Sequence, residues 1–266
     1  MRIDGKEIAQ QILKKLKQKV DVLKKRGITP ALSIILIGDN NSSLSYIKQK
    51  KLKGEEIGAK IQLFHFKSIT QTALISLINK LNSNRQVHGI IVQRPLPADI
   101  DRDKISFAIN PEKDVDGFNP TSRFDAPVGL AILEILGSIG ISDLKNKKIT
   151  VLGKGETAGG PILRVLQKHH IKPWVIDSKT RNPEDIIKSS DVIISAVGKE
   201  NIINPKLLNK NQILIGVGLF SKNGKLKGDY DVSEIEEKVK YFTPTIGGVG
   251  PVNVALLMKN LVSATY

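Results

Sequence analysis

Short, strongly apolar runs alternate along this chain with longer segments whose apolar residues recur every three or four positions. Ala31-Leu32-Ser33-Ile34-Ile35-Leu36-Ile37 is the first such run, of strand length and apolar enough for a buried strand. Before it, residues 6–26 carry Ile8, Ile12, Leu16, Val20 and Leu23 at helical spacing, and Gly27 ends the pattern. After it, Gly38-Asp39-Asn40-Asn41 breaks the strand, and Ser42 or Ser43 is placed to cap a helix reaching about Ile57. Residues 60–66 read as a second strand, with Ile61, Leu63, Phe64 and Phe66 as its apolar positions. Residues 71–82 read as a helix with Leu74, Leu77, Ile78 and Leu81 on one face, and residues 87–92 as a third strand. Strands alternating with helices indicate parallel βαβ units.

The pattern restarts in the second half. Residues 127–140 are apolar and small, framed by Pro127 and Gly140, and read as a buried or domain-linking helix. A polar stretch, residues 142–147, then introduces a strand over 148–152. Gly153-Lys154-Gly155-Glu156-Thr157-Ala158-Gly159-Gly160-Pro161 follows at once and leads into a helix. A glycine turn between a strand and a helix N-terminus lets backbone N–H groups face a phosphate, a variant of the dinucleotide-binding fingerprint. The simpler reading is a tight turn with no ligand. The context favours the dinucleotide: residues 173–176 form another strand, and Asp177 stands at its end, about where an acidic residue takes ribose hydroxyls. Further strands end at Ala196-Val197-Gly198 and at Gly216-Val217-Gly218. A short helix is expected over 232–239. Thr243 to Asn253 reads as a glycine-containing loop suited to close backbone approach, and a terminal helix from Ala255 is expected to pack back onto the first domain.

The expected fold is therefore α/β with two domains. Residues 1–122, completed by a C-terminal helix over 252–266, form a parallel-sheet α/β catalytic domain. Residues 123–251 form a Rossmann-type dinucleotide-binding domain.

In open α/β sheets ligands bind outside the carboxyl ends of the strands. Tyr46 and Lys50 lie four residues apart on the helix that follows the first strand, so they share a face one turn apart and are expected to look outward together. Spacing alone is better served by an ordinary surface pair. Gln93, at the end of the third strand before Pro95 and Pro97, brings a second polar group to the same edge, unless it merely caps the strand. Asp114 and Asp116 lie in a loop bracketed by Pro111 and Pro120. They suit either solvated turn positions or acceptance of hydrogen bonds from an amino-bearing heterocycle, and too few ligands surround them for a metal site.

Composition narrows the classes. The net charge of +15 invites a nucleic-acid reading, but the lysines are dispersed and aromatics are only 5%, so stacking platforms are scarce. A surface that attracts anionic substrates is the better account. There is no cysteine, hence neither disulfide nor thiolate site, which fits a reducing compartment. No apolar run is long enough to span a membrane, the N-terminus lacks the apolar core of a signal peptide, and a cytoplasmic location is expected.

Several motifs, in order, resemble one family. They are Gly38-Asp39 through Ser43-x-x-Tyr46-x-x-x-Lys50, Val92-Gln93-x-Pro95-Leu96-Pro97, Pro111-Glu112-Lys113-Asp114-Val115-Asp116-Gly117-Phe118, and Gly247-Gly248-Val249-Gly250-Pro251. The chain resembles the bifunctional methylenetetrahydrofolate dehydrogenase/methenyltetrahydrofolate cyclohydrolases over nearly its whole length. The resemblance implies a homodimeric enzyme of one-carbon metabolism, acting on tetrahydrofolate derivatives with NADP, or NAD as the alternative. It implies that Lys50 is the central catalytic residue, that Gln93 hydrogen-bonds it, that Tyr46 packs over the folate and that Asp116 accepts from the pterin edge. Ser43, Gly247, Gly248 and Pro251 would complete the substrate site. Gly153, Lys154, Gly155, Gly159, Ser178, Lys179, Ala196, Val197, Gly198 and Gly218 would hold the dinucleotide. The chain departs from the family pattern in the compressed stretch 119–129, where Asp125 and Ala126 replace the usual residues, at Lys154-Gly155 in place of Arg-Ser, at Arg94 and at Ile246. Most departures lie on the cofactor side, so hydrolysis is expected to be intact and hydride transfer less secure; a weak or NAD-dependent dehydrogenase is the alternative to the NADP-dependent one. A different NAD(P)-dependent dehydrogenase is the remaining enzymatic alternative.

Overall fold

The computed structural model describes residues 1–266. In chain order the elements are α1 (Gly5–Lys25), β1 (Ala31–Ile37), α2 (Asn41–Glu56), β2 (Lys60–Phe66), α3 (Gln71–Ser83), β3 (Gly89–Val92), α4 (Arg102–Ala108) and α5 (Pro127–Ser138). They continue with β4 (Ile149–Leu152), α6 (Gly159–Lys168), β5 (Trp174–Ile176), α7 (Pro183–Ser189), β6 (Val192–Ser195), β7 (Ile213–Gly216), β8 (Leu219–Lys222), β9 (Lys225–Gly228), α8 (Val232–Ile235), β10 (Tyr241–Phe242) and α9 (Val249–Ser263). No helix is long and apolar enough to cross a membrane.

The chain divides into two compact units, one of Gln10–Pro127 with Val254–Tyr266, the other of Met1–Ala9 with Val128–Asn253. The N-terminal residues thus group with the second unit, unlike the expected division at 122/123. The cause is backbone pairing: Ile3 N–H donates to Phe242 O at 2.8 Å and Phe242 N–H donates to Met1 O at 3.1 Å, which lays the N-terminus alongside β10.

In the first unit the parallel sheet has the order β2-β1-β3. The central strand β1 buries six of its seven residues, and β2, at the edge, buries none fully, leaving Leu63 exposed. Fully burying each Ile or Leu of β1 contributes about 1.5–3 kcal/mol, so the central strand carries most of this sheet's core. The stripe of α1 is rotated from the expected one: Ala9, Leu13, Leu16, Val20 and Leu23 are buried, whereas Ile8 and Ile12 are half-buried.

The second unit carries a five-stranded parallel sheet in the order β10-β7-β6-β4-β5. Read from β4, the first strand of the sheet, this is the order 2-1-3-4-5, one of the two common doubly wound arrangements. Its switch point lies between β4 and β6. The hairpin β8–β9 inserted after β7 is antiparallel and was not foreseen from the sequence, because its strands are short and largely exposed. The final helix begins at Val249, three residues before the expected helical segment 252–266 and six before Ala255, so Gly250 and Pro251 belong to its first turn rather than to a loop.

Candidate active site

Three elements build the site in the first unit. Gly38 ends β1 and donates its N–H to Phe66 O at 2.8 Å, turning the chain toward α2. His65 Nε2 lies 2.9 Å from Gly38 O and 3.1 Å from Asp39 Oδ1, bracing the same turn. The α2 cap is Asn40, not Ser42 or Ser43: Asn40 Oδ1 accepts from Ser43 N–H at 3.0 Å and also from Ser42 Oγ. Asn is as good an N-cap as Ser, and the chain turns two to three residues earlier than expected.

The buried face of α2 is Ser43, Ile47, Lys50 and Gly54. Lys50 therefore does not share an outward surface with Tyr46. It is 2% exposed, while Tyr46 is half-buried beside it. The ammonium lies 4.9 Å from the centroid of the Tyr46 ring, within cation–π range. Lys50 Nζ donates to Gln93 Oε1 at 3.1 Å, and Gln93 Nε2 donates to Arg94 O at 2.9 Å, so the amide's orientation is set by two bonds. Asp116 Oδ2 stands 4.0 Å from Lys50 Nζ. Burial holds the Lys50 pKa below the usual lysine value, and the Asp116 carboxylate opposes this in part. β1 and β3 are neighbours, and the helix after one and the residue after the other converge where ligands bind in such sheets.

The aspartate loop divides its labour. Asp114 is 1% exposed, and its oxygens accept from Gly117 N–H at 3.2 Å and Asn119 N–H at 2.7 Å. Burial pushes its pKa up to about 6, against the lowering effect of those bonds. Asp114 folds the loop, and Asp116 is the carboxylate presented to Lys50. Asn260 on α9 supports the same loop, donating to Val115 O at 2.9 Å and Asp125 O at 3.0 Å. Arg94 donates to Ser106 Oγ at 2.7 Å and stacks 4.3 Å over the Phe118 ring, which gives this cation local partners.

In the second unit the glycine turn leaves β4 at Gly153, whose φ is +86° and where a Cβ would come within 2.8 Å of Ala196 O. The turn after β4 and the loop after β6 are thus in contact at the switch point. No side chain caps α6, whose N-cap position is Ala158, and a Cβ placed on Gly155 would meet open space. An uncapped helix N-terminus fronted by glycines fits the phosphates of a dinucleotide. Gly153, Lys154, Gly155 and Gly159 lie on this turn, and Ala196, Val197 and Gly198 follow β6. Lys154 Nζ pairs with Asp177 Oδ2 at 2.8 Å, while Asp177 Oδ1 accepts from Lys179 N–H at 2.9 Å. The Lys154 hydrogen bond, followed by that of Lys179, holds the Asp177 pKa down, to about 2. Asp177 is therefore not an unscreened anion at the end of β5. Ser178 and Lys179 are exposed beside it. Gly247 and Gly248 lie in the turn entering α9, in this unit, whereas Ser43, Tyr46, Lys50, Gln93 and Asp116 lie in the other.

Residues 3–116 match the family model for the tetrahydrofolate dehydrogenase/cyclohydrolase catalytic domain, and residues 126–266 that for its NAD(P)-binding domain. The chain belongs to the tetrahydrofolate dehydrogenase/cyclohydrolase family. It is 38% identical to the bifunctional protein FolD of Macrococcus caseolyticus over 98% of this chain and 96% of that one. Among solved structures it is similar to the bifunctional FolD of Campylobacter jejuni, with TM-score 0.94 and 35% identity over 100% of this chain and 98% of the other. It is also similar to the Trypanosoma brucei FolD complexed with NADP cofactor and inhibitor, with TM-score 0.93 and 30% identity over 100% and 97%.

Within this family framework, two residues had escaped the sequence reading. Asn260 and Asp229 are both buried polar groups with partners far away in sequence, and no local spacing points to them.

Proposed function

We propose that this enzyme oxidises 5,10-methylenetetrahydrofolate to the 5,10-methenyl form with NADP and hydrolyses that product to 10-formyltetrahydrofolate. The observation that carries the reading is Lys50: a buried amine of lowered pKa, held by Gln93 and facing Asp116 and Tyr46.

In the hydrolytic half, Lys50 in its unprotonated form, which burial favours, accepts a proton from water as the water oxygen bonds to the methenyl carbon. The carbon–N5 bond then breaks, N5 takes a proton, and the formyl group stays on N10. Gln93 holds the amine through either protonation state, since its amide oxygen accepts from both. A cationic substrate beside Lys50 disfavours the ammonium further. Asp116 is the acceptor for the amino-bearing pterin edge, Tyr46 covers the ring system, and Ser43 lines the remainder of the site in this unit. In the oxidative half, a bound dinucleotide would supply the hydride acceptor for the methylene carbon. This chain's part there is to hold the dinucleotide phosphates at Gly153, Gly155 and Gly159, with Ala196, Val197, Gly198 and Gly218 as the neighbouring wall. Lys154, Ser178 and Lys179 favour the ribose phosphate of NADP, because Lys154 screens Asp177. The reading extends, on family resemblance, to a homodimer in the cytoplasm, with light scattering as the check on assembly.

The test gives purified enzyme methylenetetrahydrofolate with NADP or NAD, and separately methenyltetrahydrofolate, and follows absorbance. Both reactions are expected in the native enzyme, and Lys50→Ala is expected to abolish hydrolysis. Near-native hydrolysis by that variant refutes the assignment of Lys50.

A further inference from the structure

Asp229 follows the β8–β9 hairpin and has no side-chain exposure at all, yet nothing in the reaction described above uses it. Its carboxylate accepts four hydrogen bonds. Oδ2 takes Ser195 Oγ–H at 2.6 Å and Val197 N–H at 3.0 Å, and Oδ1 takes Gly198 N–H at 2.7 Å and Lys199 N–H at 3.0 Å. An ionised carboxylate has about four acceptor positions, so this one is saturated.

Three of the donors are consecutive backbone N–H groups directly after β6. Successive N–H groups converging on one point form a nest, a ready site for an anion. Here the anion belongs to the chain itself. The nest borders the β4 turn, through the approach of Gly153 to Ala196 O, and so stands at the switch point where a dinucleotide binds. On the far side, Gly218 makes room for the arrangement: a Cβ there would overlap both the Asp229 carboxylate and Gly198 N.

We propose that Asp229 is a positioning residue for the dinucleotide, an internal anion that fills the 197–199 nest. It fixes the Ala196–Lys199 loop as a wall of the site and leaves the β4 turn and the α6 N-terminus as the place for the ligand's phosphates. The proposal rests on the dehydrogenase reading above. With the nest open, the loop would lose three backbone anchors and present a second anion site in competition with the first.

Asp229→Asn keeps the shape but sets an NH2 group against N–H donors. The expected result is a rise of about tenfold or more in the dissociation constant for NADP by calorimetry, and a parallel rise in its KM, from the loss of charge-assisted bonds. Hydrolysis of methenyltetrahydrofolate, which depends on Lys50 in the other unit, stays within about twofold and reports that the protein is folded. Amide hydrogen exchange at 197–199 accelerates. Should Asp229→Asn fail to fold, Ser195→Ala removes a single donor, and a two- to fivefold weakening of NADP binding is expected, roughly one shared hydrogen bond. An unchanged dissociation constant in whichever variant folds overturns the proposal, as does an equal loss of both activities with binding intact. Native enzyme that hydrolyses methenyltetrahydrofolate but binds neither dinucleotide overturns the dehydrogenase reading too, and is seen before any variant is made.

Discussion

Replacing Lys50 by methionine should abolish hydrolysis and leave the protein at least as stable. Lys50 is 2% exposed, and methionine has a similar unbranched reach, so the space is refilled without a large cavity. Three effects compete. The attraction to Asp116 across 4.0 Å is lost, worth up to roughly 4 kcal/mol at an effective dielectric of 20. That figure is an upper bound, because Asp116 is 22% exposed and water screens it. The Gln93 oxygen loses its donor, at a cost of about 1–3 kcal/mol. Against these stands the desolvation of an ammonium group, several kcal/mol. Desolvation is the larger influence on the Lys50 pKa and the Asp116 attraction the smaller, so the balance favours the apolar variant. The variant is expected to be at least as stable as the native protein at neutral pH, because Asp116 is partly exposed and is not left as a fully buried unpaired charge. The sign of the pH dependence is a further check. The folded-state pKa of Lys50 lies below the unfolded value, so the unfolded chain binds more protons between the two, and native stability rises with pH through that window. The variant's advantage must therefore shrink as pH approaches 10.5, the ordinary lysine value. Denaturant melts of both proteins at neutral and alkaline pH read this directly. A loss of more than about 3 kcal/mol in the variant would show an ion pair that anchors the fold, and would refute the reasoning.

Two other perturbations follow from the same structure. Removing the Lys154 side chain uncovers Asp177, so Lys154→Ala should shift the NADP/NAD ratio of kcat/KM toward NAD, and Asp177→Ser should shift it toward NADP. Because Lys154 is 64% exposed, shifts of only about three- to tenfold are expected; changes of the same sign in steady-state assays would contradict the pairing. For Asp114, the folded pKa of about 6 exceeds the ordinary 3.8, so the folded state binds more protons and stability falls as pH rises through that interval. Asp114→Asn removes this slope, and its stability relative to the native protein should improve by about 3 kcal/mol between pH 3.8 and 7, as two pKa units imply. Urea unfolding at both ends of the interval measures it.

Much of the fold was legible because the relevant signals are local. Ala31–Ile37 is apolar enough to be a central strand and is one. Gly153 to Pro161 joins a strand to a helix in the structure as in the sequence pattern. The ordered motifs around Lys50, Gln93 and Asp116 mark the tetrahydrofolate dehydrogenase/cyclohydrolase family, to which the chain belongs. Other local signals are ambiguous. Asn40 and Ser43 are both competent caps, and only the position of the Gly38 turn selects between them. Val249 to Pro251 reads as a loop because glycine and proline break helices in general, yet proline is well placed in a helix's first turn.

The sequence by itself determined the alternation of the main strands and helices, the glycine turn between β4 and α6, and the family. Periodicity and turn chemistry act over a few residues and can be read from them. Tertiary structure alone decided that Lys50 faces inward rather than outward, since helical spacing defines a face but not what covers it. It also decided that Asp114 folds the loop while Asp116 faces the amine, that Lys154 screens Asp177, and that Asp229 closes the 197–199 nest from 30 residues or more away. Each of those outcomes depends on which groups meet across long stretches of chain, and burial and electrostatics exist only once they have met.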